Sequence, residues 1–348
     1  MTATSASGWR VVYFGTPEVA VAPLRALCGA GHDVVLVVTR PPKRRGRRQA
    51  PTPSPVEDAA ADLGLEVTYD LDDAVGVEAD LGVVVAYGEF IPEDVLEPRP
   101  TVNLHFSALP RWRGAAPVER AIMAGDAEAG VCLMDVASEI DTGAVYRRAS
   151  TEIGPHETAD ELRTRLCELG IGLLLGALAE GFGEPVPQTG ETTWADKISP
   201  EDLRIDWSAP AEHVLRLVRV GGAWTTLGNR RLKILEAEPA AGAADSGADG
   251  SGESGAADSG ADGSGDSGAA DSGADGSGDS GADSGSGDSK AAGTIWQVLG
   301  SGNRSAVQVA TGRGALMLVT VQSEGRPAVS ARDWINGARI ADGQRFDA

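Results

Sequence analysis

The apolar positions fall into two regimes. From Trp9 to about Ala149, short continuous apolar runs alternate with stretches of helical spacing. Trp9 to Phe14 is β-branched and aromatic, and Gly15-Thr16-Pro17-Glu18 follows it. That order predicts a buried strand, a tight turn, and a helix over 19–30 with proline near its first turn. DVVLVVT (33–39), ADLGVVVA (79–86) and TVNLH (101–105) are further buried strands, with a helix over 55–64 and a short strand at 65–69. Two more strands are predicted at 130–136 and 144–149. Thr158 and Glu161 form a capping-box pattern ahead of a long helix to about residue 179. Strands alternating with helices imply βαβ units and a mostly parallel sheet covered on both faces.

The second regime begins near Pro200. An amphipathic helix is predicted after Ser208, with that serine as its N-cap. Short strands follow at 224–227, 231–236, 293–299, 306–310 and 315–322. Several short strands separated by turns suggest a small β-barrel.

Between the second and third of these strands, residues 241–289 contain only Gly, Ser, Ala, Asp and Glu. The unit GAADSGADGSGES at 242–254 recurs with one change at 255–267 and 268–280. Such a tract buries no apolar surface and is predicted to be disordered, an expanded loop of a β-hairpin. It also distorts the charge. The whole chain carries −21, but 11 of those charges lie in the tract, and the other 299 residues carry −10.

The remaining composition excludes several classes. The bulk acidity argues against a generally basic nucleic-acid binder. No apolar run reaches the ~18 residues that span a bilayer. The polar stretch from Met1 to Gly8 does not read as a secretory signal, so a cytoplasmic protein is expected. Cys28, Cys132 and Cys167 are far apart and form no C-x-x-C pair, which argues against a zinc site or a disulfide framework.

The chemistry concentrates in NLHFSALPRWRGAAP, residues 103–117. This segment starts at the carboxyl end of a parallel strand, where open α/β sheets place their ligands. Asn103 and His105 are two apart and share one face of that strand. An amide donor beside an imidazole suits an oxyanion and a mobile proton. Asp141, in EIDTG, can orient His105 and set its protonation. Residue by residue, ordinary uses fit as well: a strand-end hydrogen bond for Asn103 or His105, and an Asx-turn at Asp141.

The combination of VVYFGTPEVA, VVTRPPKRRGRRQAPTPSPV, VNLHFSALPRWRGAAPVERAI, IDTGAVY, DKISPEDLRIDW and GAWTTLGNRRLKIL resembles the methionyl-tRNA formyltransferases, folate-dependent enzymes. The likeness runs collinearly from about residue 9 to 345. It implies a Rossmann-like catalytic domain over 9–190, a linker at 191–205, and an OB-like β-barrel domain for tRNA over 206–345 containing the insertion. It implies direct transfer of the formyl group of 10-formyltetrahydrofolate to the α-amine of methionyl initiator tRNA, without a metal. Asn103 and His105 would stabilise the tetrahedral oxyanion, and Asp141 would help the amine lose its proton. Ser107, Ala108, Leu109 and Pro110 match the family's folate-binding SLLP segment, with alanine in place of a leucine. The rival within this resemblance is an enzyme acting on another amine, such as an amino-sugar nucleotide.

An acidic protein that binds a polyanion needs local positive charge. Arg40, Lys43, Arg44, Arg45, Arg47 and Arg48 place six cations in nine residues. In the family this loop approaches the tRNA acceptor end. Arg216, Arg219, Arg230, Arg231 and Lys233 add charge in the second module. A monomer is expected, and the acidic loop is expected to project away from the RNA.

Overall fold

The computed structural model describes residues 8–44, 50–240, 290–299 and 305–347. The predicted disorder of 241–289 and three of the expected RNA contacts, Arg45, Arg47 and Arg48, lie outside the described residues.

A seven-stranded sheet forms the first unit, in the order Val145–Glu152, Glu128–Asp135, Thr101–His105, Leu81–Val85, Arg10–Gly15, Asp33–Val38 and Val67–Thr68. The five strands from Thr101–His105 to Val67–Thr68 are mutually parallel; at one edge Glu128–Asp135 pairs antiparallel with Thr101–His105, and Val145–Glu152 pairs antiparallel with it in turn. The continuous apolar runs explain this placement. Leu81–Val85 is buried at every position and Arg10–Gly15 at all but its first, so both need cover on both faces. Val11, Tyr13, Val83 and Leu104 are 0–1% exposed, and each such side chain contributes about 1.5–3 kcal/mol by leaving water. The first strand, Arg10–Gly15, lies inside the sheet; the chain fills the side with Asp33–Val38 and Val67–Thr68, then returns to fill the other. The switch leaves a crevice at the carboxyl ends of the strands.

Helix starts follow their local chemistry. Ser54 Oγ accepts from the Glu57 amide at the head of Pro55–Leu63. The expected capping box is present, with Thr158 and Glu161 bonding reciprocally at the start of Ala159–Glu180. Helix Pro117–Ala124 was not read from the sequence. Its signals were proline in the first turn and Gly125, left-handed at φ 77°, just past its end.

The second unit is a curled antiparallel sheet ordered Trp224–Leu227, Arg230–Pro239, Ala315–Ser323, Ser305–Ala310, Ile295–Leu299. Register shifts around Glu236 bend its longest strand. Helices Ala211–Val220 and Ala331–Ala338 contribute to its separate apolar core, where Phe346 stacks between Trp207 and Trp334. The predicted N-cap at Ser208 is corrected. The helix starts at Ala211 behind Pro210, and Ser208 Oγ instead donates to Asp206 Oδ1 at 2.6 Å. Ala209 precedes a proline, which disfavours helical backbone there and delays the start.

The two units meet through helices Pro117–Ala124 and Ala211–Val220. Arg219 donates to the carbonyls of Glu157 (2.7 Å) and Gly154 (2.8 Å), and Arg216 donates to the carbonyl of Ala124. Burial lowers the Arg219 pKa, an effect Glu157 opposes. These two arginines join the units, whereas Arg230 and Lys233 are exposed.

Candidate active site

Alternation along Thr101–His105 sends Val102 and Leu104 into the apolar core and leaves Asn103 and His105 on the other face. Asn103 reaches a cleft of about 130 Å³ at the carboxyl end of the sheet. Val84 and Ile91 form one wall, Met134 and Val136 the other, and Asp141 lies at the same opening. Phe90 and Ile140, 62% and 61% exposed, form its rim. Among the described residues, no hydrogen bond engages the Asn103 side chain, so its amide is available to a ligand.

His105 sits behind this opening and is only 6% exposed. Its Nε2 lies 2.9 Å from the Trp112 carbonyl oxygen. A carbonyl only accepts, so Nε2 carries a proton. Its Nδ1 lies 3.5 Å from Asp141 Oδ2. In the neutral ring that contact sets two acceptors face to face. A single proton placed between them converts it into an ion pair with a hydrogen bond. The two groups together form a seat for one proton at the edge of the cleft.

Two loops set this geometry. Asp141 holds the left-handed backbone, φ 52°, which aspartate tolerates better than most residues. Its Oδ2 also accepts from the Gly114 amide at 2.8 Å. That carboxylate therefore faces the Gly114 amide and His105. Gly143 is required because a Cβ there would collide with the Asp135 carbonyl. In the other loop, Trp112 is also left-handed, φ 63°, and its amide donates to Thr193 Oγ1 at 2.9 Å. Arg113–Gly114 pairs in parallel with Trp194–Ala195.

Asp126 secures this second loop from behind. It accepts from Arg111 Nε (2.8 Å), Arg111 Nη2 (2.6 Å) and Trp112 Nε1 (2.8 Å). Burial raises its pKa, but bonds from Arg111 and Trp112 and the charges of Arg111 and Arg216 outweigh that and hold the carboxyl below its usual range. A lowered folded-state pKa stabilises the protein above the ordinary carboxylate range, and the contribution disappears as pH falls through the lowered value. Asp126→Asn is therefore expected to lower Tm by about 2–4 °C at pH 7. The difference should shrink progressively as the pH falls below the ordinary carboxylate range and through the lowered value. Thermal melts over a descending acid series check it; a deficit that stays constant throughout would assign the effect to packing.

The structure thus brings Asn103, His105 and Asp141 together. It places the other expected ligand groups differently. Ser107, Ala108, Leu109 and Pro110 do not line the cleft beside Asn103. Ser107 and Ala108 border a separate hollow of about 20 Å³, space for one water-sized molecule. The buried Ser107 hydroxyl has no partner among the described residues. Leu109 packs with Cys132, Met134 and Val145, so it touches the cleft only through Met134. Arg40 folds back to pair with Glu89 at 2.6 Å, on the cleft side, rather than extending outward. Lys43 and Arg44 are exposed on a small ribbon with Pro51–Thr52. Sequence reasoning missed Glu89, Asp126, Gln188 and Thr193. Their only signal was polarity, because their roles depend on loops that meet in space.

Comparison with known proteins matches the formyl transferase model over residues 9–178 and the formyl transferase C-terminal domain over 197–262 and 278–339. A methionyl-tRNA formyltransferase of Roseobacter denitrificans is 37% identical over 353 residues, covering 97% of this chain and 98% of its own. One from Acidothermus cellulolyticus is 38% identical over 361 residues, covering 97% and 100%. Among solved structures, HypX from Aquifex aeolicus, in complex with tetrahydrofolic acid, shares the fold. Its TM-score is 0.56 at 16% identity, over 97% of this chain and 48% of that one. The collinear match across both units, at this identity and coverage, makes the chain a member of the methionyl-tRNA formyltransferases within the formyl transferase family.

Proposed function

We propose that this chain transfers the formyl group of 10-formyltetrahydrofolate to the α-amine of methionyl initiator tRNA, acting as a cytoplasmic monomer. The observation that carries the reading is the unengaged Asn103 amide at the cleft, beside a carboxylate that shares a proton seat with His105. The cleft fits a flat, partly polar ring system: apolar walls from Val84, Ile91, Met134 and Val136, with polar groups at one end. Leu109 supports that wall from behind through Met134.

The co-substrate supplies a formyl carbon bonded to nitrogen. Asn103 donates to the formyl oxygen as the amine adds and negative charge collects there. The Asp141–His105 pair receives the proton that the amine releases. As the tetrahedral intermediate collapses, the bond from the formyl carbon to the co-substrate nitrogen breaks, and that nitrogen takes up the same proton and leaves as tetrahydrofolate. The Trp112 carbonyl keeps Nε2 protonated, so the incoming proton enters at the Nδ1–Oδ2 contact. This assigns His105 mainly to proton handling through Asp141, because both ring nitrogens already face protein acceptors.

Lys43, Arg44, Arg45, Arg47 and Arg48 approach the acceptor end of the RNA, with Arg230 and Lys233 offering charge on the second unit. Arg40 joins that loop to the cleft wall through Glu89. The boundary between the units falls at 191–205.

The test compares formylation of initiator methionyl-tRNA, elongator methionyl-tRNA and free methionine in one assay. Formylation of the initiator species well above the other two is expected. Transfer to an amino-sugar nucleotide with none to the initiator species would replace this reading.

A further inference from the structure

Gln188 lies between the long helix Ala159–Glu180 and the Trp194–Ala195 strand, in a stretch whose neighbours 183–187, 189 and 190 are exposed. It alone among them is half-buried. Its carboxamide uses all its polar capacity. Nε2 donates to the carbonyls of Asp141 and Gly143, each at 2.8 Å. Oε1 accepts from Arg113 Nε at 3.1 Å and Arg113 Nη2 at 2.6 Å. The partners permit one orientation only, since carbonyls accept and a guanidinium donates.

The two sides of this amide hold the two loops that meet at His105. One side holds Asp141 by its own carbonyl. The other holds Arg113, between Trp112, whose carbonyl faces His105 Nε2, and Gly114, whose amide binds Asp141 Oδ2. Asp141 and Trp112 both hold left-handed backbone, which non-glycine residues keep only where surrounding contacts enforce it. Arg113 is the charged group facing Gln188, with Glu139 on Asp141's own turn and Asp126 behind Trp112.

We infer that Gln188 is a positioning residue for the Asp141–His105 pair: its amide fixes the two loops relative to each other and so sets the Nδ1–Oδ2 separation. The inference rests on the reading of Asp141 and His105 as the proton-handling groups. A misplacement of about 1 Å at such a site costs roughly 10²-fold in rate, so the clamp matters to chemistry more than to stability.

The test uses the full chain carrying Gln188→Ala or Gln188→Glu. Glutamate keeps an acceptor for Arg113 but loses both N–H donors and sets a carboxylate against two carbonyls. Both variants are expected to lose about 10–100-fold in kcat. KM for the tRNA should stay within about threefold and Tm within about 2 °C, consistent with a positioning effect. Nitrogen NMR of the His105 ring provides a readout independent of activity; His105→Asn identifies its signals among the four histidines. In both variants the ring signals and their pH profile should move. Unmoved His105 signals overturn the inference, whatever happens to the rate. Moved signals with kcat within threefold of an active wild type overturn it too. If the wild type itself transfers no formyl group, the functional reading fails, and the NMR result alone decides whether Gln188 positions His105.

Discussion

Asn103→Ala is expected to lower kcat for formyl transfer by about 10²–10³, the scale of losing one oxyanion donor. The reasoning starts from what this amide is not doing. It forms no hydrogen bond with another described residue, although it lies half-buried on the cleft wall. A polar group left without a protein partner there costs stability unless water or a ligand serves it. Truncation should therefore leave Tm nearly unchanged while removing a donor needed most when charge develops. The loss should appear in kcat and kcat/KM alike, because the bond strengthens only in the transition state. Asn103→Asp should lose more, since a carboxylate opposes the same charge. Steady-state kinetics with melts of both variants check this. Activity of Asn103→Ala within threefold of wild type would remove Asn103 from the mechanism.

The second large effect concerns Asp141. Asp141→Asn should lower kcat by about 10²–10⁴, the range of a positioned proton acceptor. The substitution keeps size and shape, so the geometry is the control. Asp141 Oδ2 accepts from the Gly114 amide and also faces His105 Nδ1. A carboxamide can put either oxygen or nitrogen at that point. With oxygen there, Nδ1 faces an acceptor and no carboxylate stabilises an added proton. With nitrogen there, the Gly114 N–H faces another donor. Either way the proton seat is lost, while the left-handed turn, which asparagine also tolerates, survives. KM for the folate should change little. A rate near wild type, with the fold intact, would show that the proton leaves by another path.

Much of this architecture was legible before the fold was known, and particular residues show why. Continuous apolar runs such as Leu81–Val85 can only be satisfied inside a sheet covered on both faces. Thr158 and Glu161 lie three apart and bond locally, so the start of their helix needs no tertiary information. Asn103 and His105 share a face because strand geometry has a period of two. Where the local reading failed, a neighbour overrode it: Pro210 moved the helix start past Ser208.

Local sequence pattern was enough for the order of most strands and helices, the parallel character of the first sheet, and the likeness to a formyltransferase. These follow from periodicity, local hydrogen bonding and short motifs, all of which act over a few residues. Tertiary structure alone decided which side chains complete the site. Gln188 reaches Asp141 across 47 positions, and Thr193 reaches Trp112 across 81. It also turned Arg40 inward to Glu89, assigned Arg219 to the junction of the two units, and placed Ser107 away from the cleft. A hydrogen bond or ion pair depends on distance in space, and no local pattern encodes the meeting of two loops that only the closed sheet brings together.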